Sequence, residues 1–383
     1  MKKIFYWSPH LSNVATIKNV INSAKSIKLF SKNSHNISII DSIGEWQDQK
    51  KILNIYNINL IKLSNLNLNK YLPITGFIKS RFFSLLIILT KFIPLKKLLK
   101  KENPEYLILH LVTSLPLIIL LLFKTNTKFV LRISGLPKLS MLRRILWKVI
   151  SKKLYLVTCP SDQTKIDIVK LNIFSKDKIK VLYDPILEVG QISKNLNENI
   201  PEICKNKKYF LNIGRLTKQK NQTLLIDAFP SILKKFNDIH LLILGEGEER
   251  ENLIKRARLN RIENNVHFLG QINNVYPFIK NSLATISTSL WEDPGAVMVE
   301  VSFCKKINIV SNCPNGPAEF LSNGDGGYLY KNNDIKDLVE KMLCFLKDEK
   351  DKHYNKIFIS KKNSKKYTIF SHYKNLNRLL QIG

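Results

Sequence analysis

The feature that most narrows the fold is a recurring unit. A short apolar, β-branched run stops at a glycine or small polar residue, and a helical period follows. In the second half the run comes three times in succession, as 209–213 closed by Gly214, 240–244 closed by Gly245, and 266–269 closed by Gly270. Helical patterns fill the gaps over 222–236 and 248–259, and a short one follows over 275–279. Strands separated by helices pair in parallel through crossovers, and such a sheet needs helices on both faces. Further strands are expected over 283–287 and 307–311, and a helix over 335–347. The first half repeats the alternation, with strands over 3–8, 37–40, 106–110, 129–133, 154–158 and 178–182 and helices over 14–30, 115–123 and 138–151. The fold class is α/β, with two Rossmann-like, doubly wound domains, as a chain of 383 residues allows. The expected division is a first domain over 1–185, a polar, Asn-rich linker over 186–207, and a second domain over 208–360. A basic helix over 361–383 is expected to cross back onto the first domain.

Ligands of such sheets sit at the carboxyl ends of the strands. Residues 285–300 carry the clearest site of that kind. A strand end, Thr285 to Ser289, turns through Trp291-Glu292-Asp293-Pro294-Gly295 into an apolar run from Ala296. Pro294 suits a first helical position, and Gly295 lets a ligand approach the backbone. The mouth of that helix suits an anion, commonly phosphate. Glu292 and Glu300, eight apart, return to roughly one helical face and offer acceptors for hydroxyls. A solvated strand–turn–helix is the plain alternative. Arg215 and Lys220 stand after Gly214 at another strand end and place two cations there. Arginine forks onto diphosphate oxygens, while lysine offers a point charge. Two surface cations on a basic protein would look the same.

The net charge is +31, and it is unevenly placed. Residues 1–200 carry 32 Lys+Arg against 11 Asp+Glu, residues 201–350 carry 21 against 18, and the remainder 8 against 1. A bias toward Lys, Asn and Ile, as AT-rich genomes encode, would touch both halves alike. The basic half lacks zinc-finger spacing and RNA-recognition aromatics, which disfavours nucleic acid. It does carry apolar runs bordered by lysines, such as 74–100, which suit an anionic membrane surface. A buried helix with snorkelling lysines is the alternative there. The most apolar run, 107–123, is short for a membrane span and is broken by His110, Thr113-Ser114 and Pro116. Five widely spaced cysteines without CxxC fit a reducing compartment, and the short apolar start reads as a strand and not as a signal peptide. The expectation is a cytoplasmic protein, peripheral on the inner face of the cytoplasmic membrane.

Taken in order, several motifs resemble one family. They are Gly214-Arg215-Leu216 with Lys220, Leu244-Gly245-Glu246-Gly247, Phe268-Leu269-Gly270, Glu292 with Glu300, Pro314-Asn315-Gly316-Pro317-Ala318-Glu319, and Asn323-Gly324 with Gly327. Together they resemble the group 1 glycosyl transferases, the fourth sequence family of retaining, nucleotide-sugar-dependent enzymes with the GT-B fold. The resemblance covers about 208–330 and is looser over 1–185. It implies two domains facing a cleft and a nucleotide-diphosphate sugar as donor. Arg215 and Lys220 would bind the diphosphate beside Gly214 and Gly245, Glu300 the ribose hydroxyls, and Glu292 hydroxyls of the donor sugar. The backbone of Gly295, Ala296 and Val297 would meet sugar and phosphate, and Leu269 with Gly270 would line the base. His110 resembles the family's strand-end histidine near the sugar; a packed core histidine is the other reading. The catalytic set implied is thus Glu292, His110, Arg215 and Lys220.

Three loops depart from the family pattern: Ser12-Asn13 stand in place of Gly-Gly, Ser134-Gly135 in place of His-Gly, and Asp293 in place of Gly. No Asp-x-Asp occurs, so neither a metal nor a cofactor is expected. The acceptor expected is a lipid-linked glycan in bacterial surface polysaccharide assembly, such as O-antigen, lipopolysaccharide or capsule. A soluble acceptor, or an inactive transferase fold that binds membrane or nucleic acid, are the alternatives.

Overall fold

The structure, a computed structural model, describes residues 1–10, 15–32, 35–63, 77–135, 139–293 and 295–382, with backbone only at 77–82 and 203. The chain divides into two compact units. The first is Met1–Pro185 together with Ile369–Gly383, and the second is Ile186–Thr368.

The first unit is built on β1 (Lys3–Trp7), β2 (Asn36–Asp41), β3 (Asn59–Lys62), β4 (Tyr106–Leu109), β5 (Lys128–Arg132), β6 (Leu156–Cys159) and β7 (Ile179–Val181), in the spatial order β3-β2-β1-β4-β5-β6-β7. Every pairing in it is parallel. Side chains alternate across the sheet, and both sets are apolar because both faces are covered. Phe5, Trp7, Leu109 and Leu131 share a core with the helices Phe77–Glu102, Ser114–Leu122 and Met141–Ile150. Ile4, Tyr6, Ile108 and Val130 share the opposite core with the helices Ala15–Phe30 and Ile369–Leu380. The last helix contributes Tyr373, Leu376 and Leu380 to that core.

The second unit has β8 (Lys208–Ile213), β9 (Ile239–Leu244), β10 (Val266–Gly270), β11 (Ala284–Ser287), β12 (Ile307–Asn312) and β13 (Tyr328–Lys331), ordered β10-β9-β8-β11-β12-β13 and again parallel throughout. Its core gathers Phe210, Ile243, Ile286 and Ile309 with Phe229 and Met342 from flanking helices. Chain order reverses once in each sheet, at β1/β4 and at β8/β11. A crevice opens at the strand ends where the connections diverge, which is where such sheets take ligands.

Several elements differ from expectation. β3 is a four-residue edge strand, Asn-Leu-Ile-Lys, too short and polar to show as a periodic run. β13 was likewise not expected. The segment 186–207, expected as a linker, carries ordered structure of the second unit: Leu187 bridges to Thr368, Val189–Asn195 is helical, and Asn274 Nδ2 donates to Asn195 O at 2.8 Å. The tail is two helices, Lys350–Ser364 and Ile369–Leu380, split by a short turn. Among the described residues no helix is long and apolar enough to cross a membrane.

Candidate active site

At the β8/β11 reversal the two following loops are laced together. The Leu290 amide donates to Gln219 O at 2.9 Å, Thr288 Oγ1 to Lys220 O at 2.8 Å, and Gln219 Nε2 to Trp291 O at 3.0 Å. These bonds make 214–221 and 288–292 one surface, so cations from one strand end and carboxylates from the other share it. Lys220 is ion-paired through Nζ with Glu292 Oε1, the two side chains being 21% and 16% exposed. Ser289 Oγ donates to the same oxygen at 2.7 Å. Arg215 is exposed on the same loop, and its carbonyl accepts from Gln222 Nε2 at 3.1 Å. Thr217 Oγ1 and Gln222 Oε1 are buried here without a hydrogen-bond partner among the described residues.

The strand ends approach so closely that glycine is required. The Gly214 amide donates to Leu244 O at 2.9 Å, and the Gly245 amide to Gly270 O at 2.8 Å. Gly245 lies at φ +141°, and a Cβ there would sit 1.9 Å from Gly214 O. No side chain fits that gap. Leu269 and Gly270 end the neighbouring strand β10.

The helix Ala296–Phe303 starts two residues later than the sequence suggests, so Glu292 precedes it. Gly295, at φ +100°, is its N-cap, and the first helical residue is Ala296. Pro294 itself lies outside the described residues. A Cβ on Gly295 would lie 3.7 Å from Glu292 Cβ, which places the helix mouth directly beside that carboxylate arm. Ala296 and Val297 are half-buried in its first turn. Glu300 is only 8% exposed, and Tyr276 Oη donates to its Oε1 at 3.1 Å. Burial first, then the Glu300 carboxylate, push the Tyr276 phenol well above its usual range, so it stays a donor. Sequence reasoning missed Tyr276 and Ser289. Ser289 stands three residues before Glu292 and could have been found as a local partner; Tyr276 gave no such signal.

In the first unit, His110 follows β4, and its amide donates to Trp7 O at 2.9 Å. Its ring lines a cavity of about 20 Å³, room for about one water, together with Ser23, Arg132, Asp184 and His372. Its Nδ1 is buried there without a hydrogen-bond partner among the described residues. Burial, then the Arg132 and His372 charges, pull its pKa to about 3, so the ring is neutral at pH 7. The residue as a whole is half-buried at its strand end, so both readings of its position stand. Arg132 pairs with Asp184 at 2.6 Å beside it and also donates to Leu182 O at 2.6 Å. Val112, two residues beyond His110, sits at φ +47°, a strained state for a β-branched residue. Trp7 Nε1 donates to its carbonyl at 3.1 Å. Ser134 is exposed and Gly135 lies at φ +84° after β5, whereas Ser12 and Asn13 lie outside the described residues. Among the described residues no group of three or more His, Cys, Asp or Glu could hold a metal ion.

Residues 193–364 match the model of the glycosyl transferases group 1 family. That span contains every strand-end group just described in the second unit. Over those residues the chain is a group 1 glycosyl transferase domain. An uncharacterized glycosyltransferase of Methanocaldococcus jannaschii is 30% identical over 244 residues, covering 59% of this chain and 60% of that one. An N-acetylgalactosamine-N,N'-diacetylbacillosaminyl-diphospho-undecaprenol 4-alpha-N-acetylgalactosaminyltransferase of Campylobacter jejuni is 26% identical over 213 residues, covering 55% and 56%. The chain thus spans 60% or less of the length of these curated relatives. A glycosyltransferase from Rickettsia africae superposes with TM-score 0.76 at 19% identity, covering 100% of this chain and 98% of that one. Anabaena HepE in complex with UDP-glucose superposes with TM-score 0.73 at 16% identity over the full length of both chains. These likenesses show a GT-B fold for this chain.

Proposed function

We propose that the chain is a retaining, metal-independent glycosyltransferase that moves a sugar from a nucleotide-diphosphate sugar to an acceptor hydroxyl. The observation that carries this reading is the Lys220–Glu292 pair at the β8/β11 reversal, with a second carboxylate, Glu300, further along the adjoining helix. A diphosphate leaving group develops negative charge as the sugar departs, and preorganised cations stabilise that charge without rearranging. Lys220 and Arg215 supply them. The amides at the Gly295–Val297 helix mouth add donors for phosphate or sugar. Glu292 accepts from hydroxyls of the donor sugar, and Glu300, held by Tyr276, accepts from the ribose. The acceptor oxygen bonds to the anomeric carbon on the face the diphosphate leaves. The bond from that carbon to the β-phosphate oxygen breaks, and this oxygen takes the acceptor's proton. Anabaena HepE is described with UDP-glucose, so a uridine diphosphate sugar is the first donor to try.

The acceptor proposed is a lipid-linked glycan of bacterial surface polysaccharide, reached from the inner face of an anionic membrane. The activity that names the Campylobacter relative, on a diphospho-undecaprenol glycan, and the basic first half of this chain support that choice. The test is turnover of a panel of nucleotide-diphosphate sugars by the full chain, with and without membrane extract. The reading expects one donor to be consumed and Glu300→Ala to abolish its consumption. Inertness toward every donor, or full activity in Glu300→Ala, removes it.

A further inference from the structure

The helices Phe77–Glu102, Ser114–Leu122 and Met141–Ile150 pack onto one face of the first sheet, each against the next. Their inner sides are accounted for by the core; their outer sides are unusual. Met141–Ile150 turns Trp147 and Ile150 inward yet leaves Met141 and Leu142 79% and 80% exposed, with Ile145 and Val149 exposed as well. Arg143, Arg144 and Lys148 are interleaved with them and exposed too. On the neighbouring helices Leu122 is exposed, and so are Leu85, Leu89 and Ile93, which recur every four residues as a stripe along one helix face. Between the first two helices lies a cavity of about 480 Å³. Lys96, Lys100 and Lys124 surround its apolar floor of Leu99, Ile119 and Phe123, and Lys96 Nζ sits 3.7 Å from the Phe123 ring centroid. Among the described residues no acidic one lines it. From 106 to 161 the sequence has nine Lys or Arg and no Asp or Glu.

Large exposed apolar side chains on a globular surface mark a docking site. Here they share the surface with a large excess of cations. A second copy of this chain would bring the same cations and be repelled. A surface both apolar and anionic is what these helices fit, and an anionic lipid bilayer is such a surface. We infer that the outer face of these three helices docks on an anionic bilayer. Met141, Leu142 and Ile145 enter the headgroup–acyl boundary, and the pocket of Lys96, Lys100 and Lys124 takes a lipid headgroup phosphate. This deepens the proposed function by locating its membrane partner, and it rests on that reading only for its purpose.

The test is flotation of the full chain with phosphatidylcholine vesicles and with mixed phosphatidylcholine–phosphatidylglycerol vesicles. The wild-type chain is expected to float with the anionic vesicles and to be released by high salt. The variants are Leu142→Asp with Ile145→Asp, and separately Arg143→Glu with Arg144→Glu and Lys148→Glu; all sites are exposed, and circular dichroism checks the fold. Each is expected to weaken binding on the order of a hundredfold, since each basic residue near an anionic surface contributes severalfold. Equal binding to neutral and anionic vesicles, unchanged binding of both variants, or wild-type self-association that the variants abolish would overturn the inference. Donor turnover is read on the same samples without vesicles, so a failure of docking is separable from a failure of the transferase reading.

Discussion

Lys220 has a partner before any diphosphate reaches it. Glu292 accepts its ammonium, and Ser289 steadies the carboxylate in that position. A bare nucleoside diphosphate must therefore compete with Glu292 for the cation. A donor carrying a sugar can give Glu292 hydroxyls to hold while its phosphates take Lys220. Two opposite effects follow for Glu292→Gln. Affinity for UDP alone is expected to rise, by about three- to tenfold, the order of a partly exposed ion pair. Turnover of the sugar donor is expected to fall on the order of a hundredfold, as when one preorganised group at a reacting centre is removed. Calorimetry and a donor-consumption assay read the two separately. Weaker UDP binding in the variant would mean that Glu292 supports Lys220 and does not compete with the diphosphate.

The C-terminal helix Ile369–Leu380 belongs to the first unit's core, and its His372 is wired into it. Nδ1 lies 2.7 Å from Tyr183 O and Nε2 2.9 Å from Ser23 Oγ, and Ser23 in turn meets Tyr6 Oη at 2.9 Å. Burial lowers the His372 pKa to about 4, beside His110 at about 3. Both values lie below the ordinary histidine range, near 6.5. Above that range folded and unfolded chains are equally neutral, and the full stability is present. As pH falls below about 6.5 the unfolded chain takes up protons that the folded unit refuses, so stability is lost down to the folded values. The slope is about 1.4 kcal/mol per pH unit for each histidine. Urea denaturation between pH 7 and pH 4.5 should show this loss, and His372→Gln should make it shallower. An identical slope in the variant would contradict the assignment.

How much of this was legible in the sequence also divides by element. Strand-and-helix alternation showed both parallel sheets, because fully buried strands read as apolar runs wherever they fall. The strand-end glycines and charges showed which ends matter. β3 did not show, since an edge strand keeps half its side chains in water. The surroundings of His110 did not show either, because they depend on a residue 262 positions later in the chain. The same holds for Tyr276 beneath Glu300: such partners are made by tertiary packing and leave no local period.

At the scale of the whole molecule the charge map separates two tasks. Residues 201–350 are nearly neutral, and the cations proposed to serve the donor are few and specific. Residues 1–200 carry most of the excess charge, over helices that keep apolar side chains in water. That division suits a donor that must be recognised in one unit and a surface that must be held by the other. The most direct measurement is calorimetric titration of UDP into the wild-type chain and into Arg215→Ala with Lys220→Ala. Two charge-assisted contacts to phosphate are lost in that variant, so its affinity should drop on the order of a hundredfold or more while the fold is kept. Equal affinity in the two proteins, or a wild-type chain that binds neither UDP nor any other nucleoside diphosphate, would contradict the account.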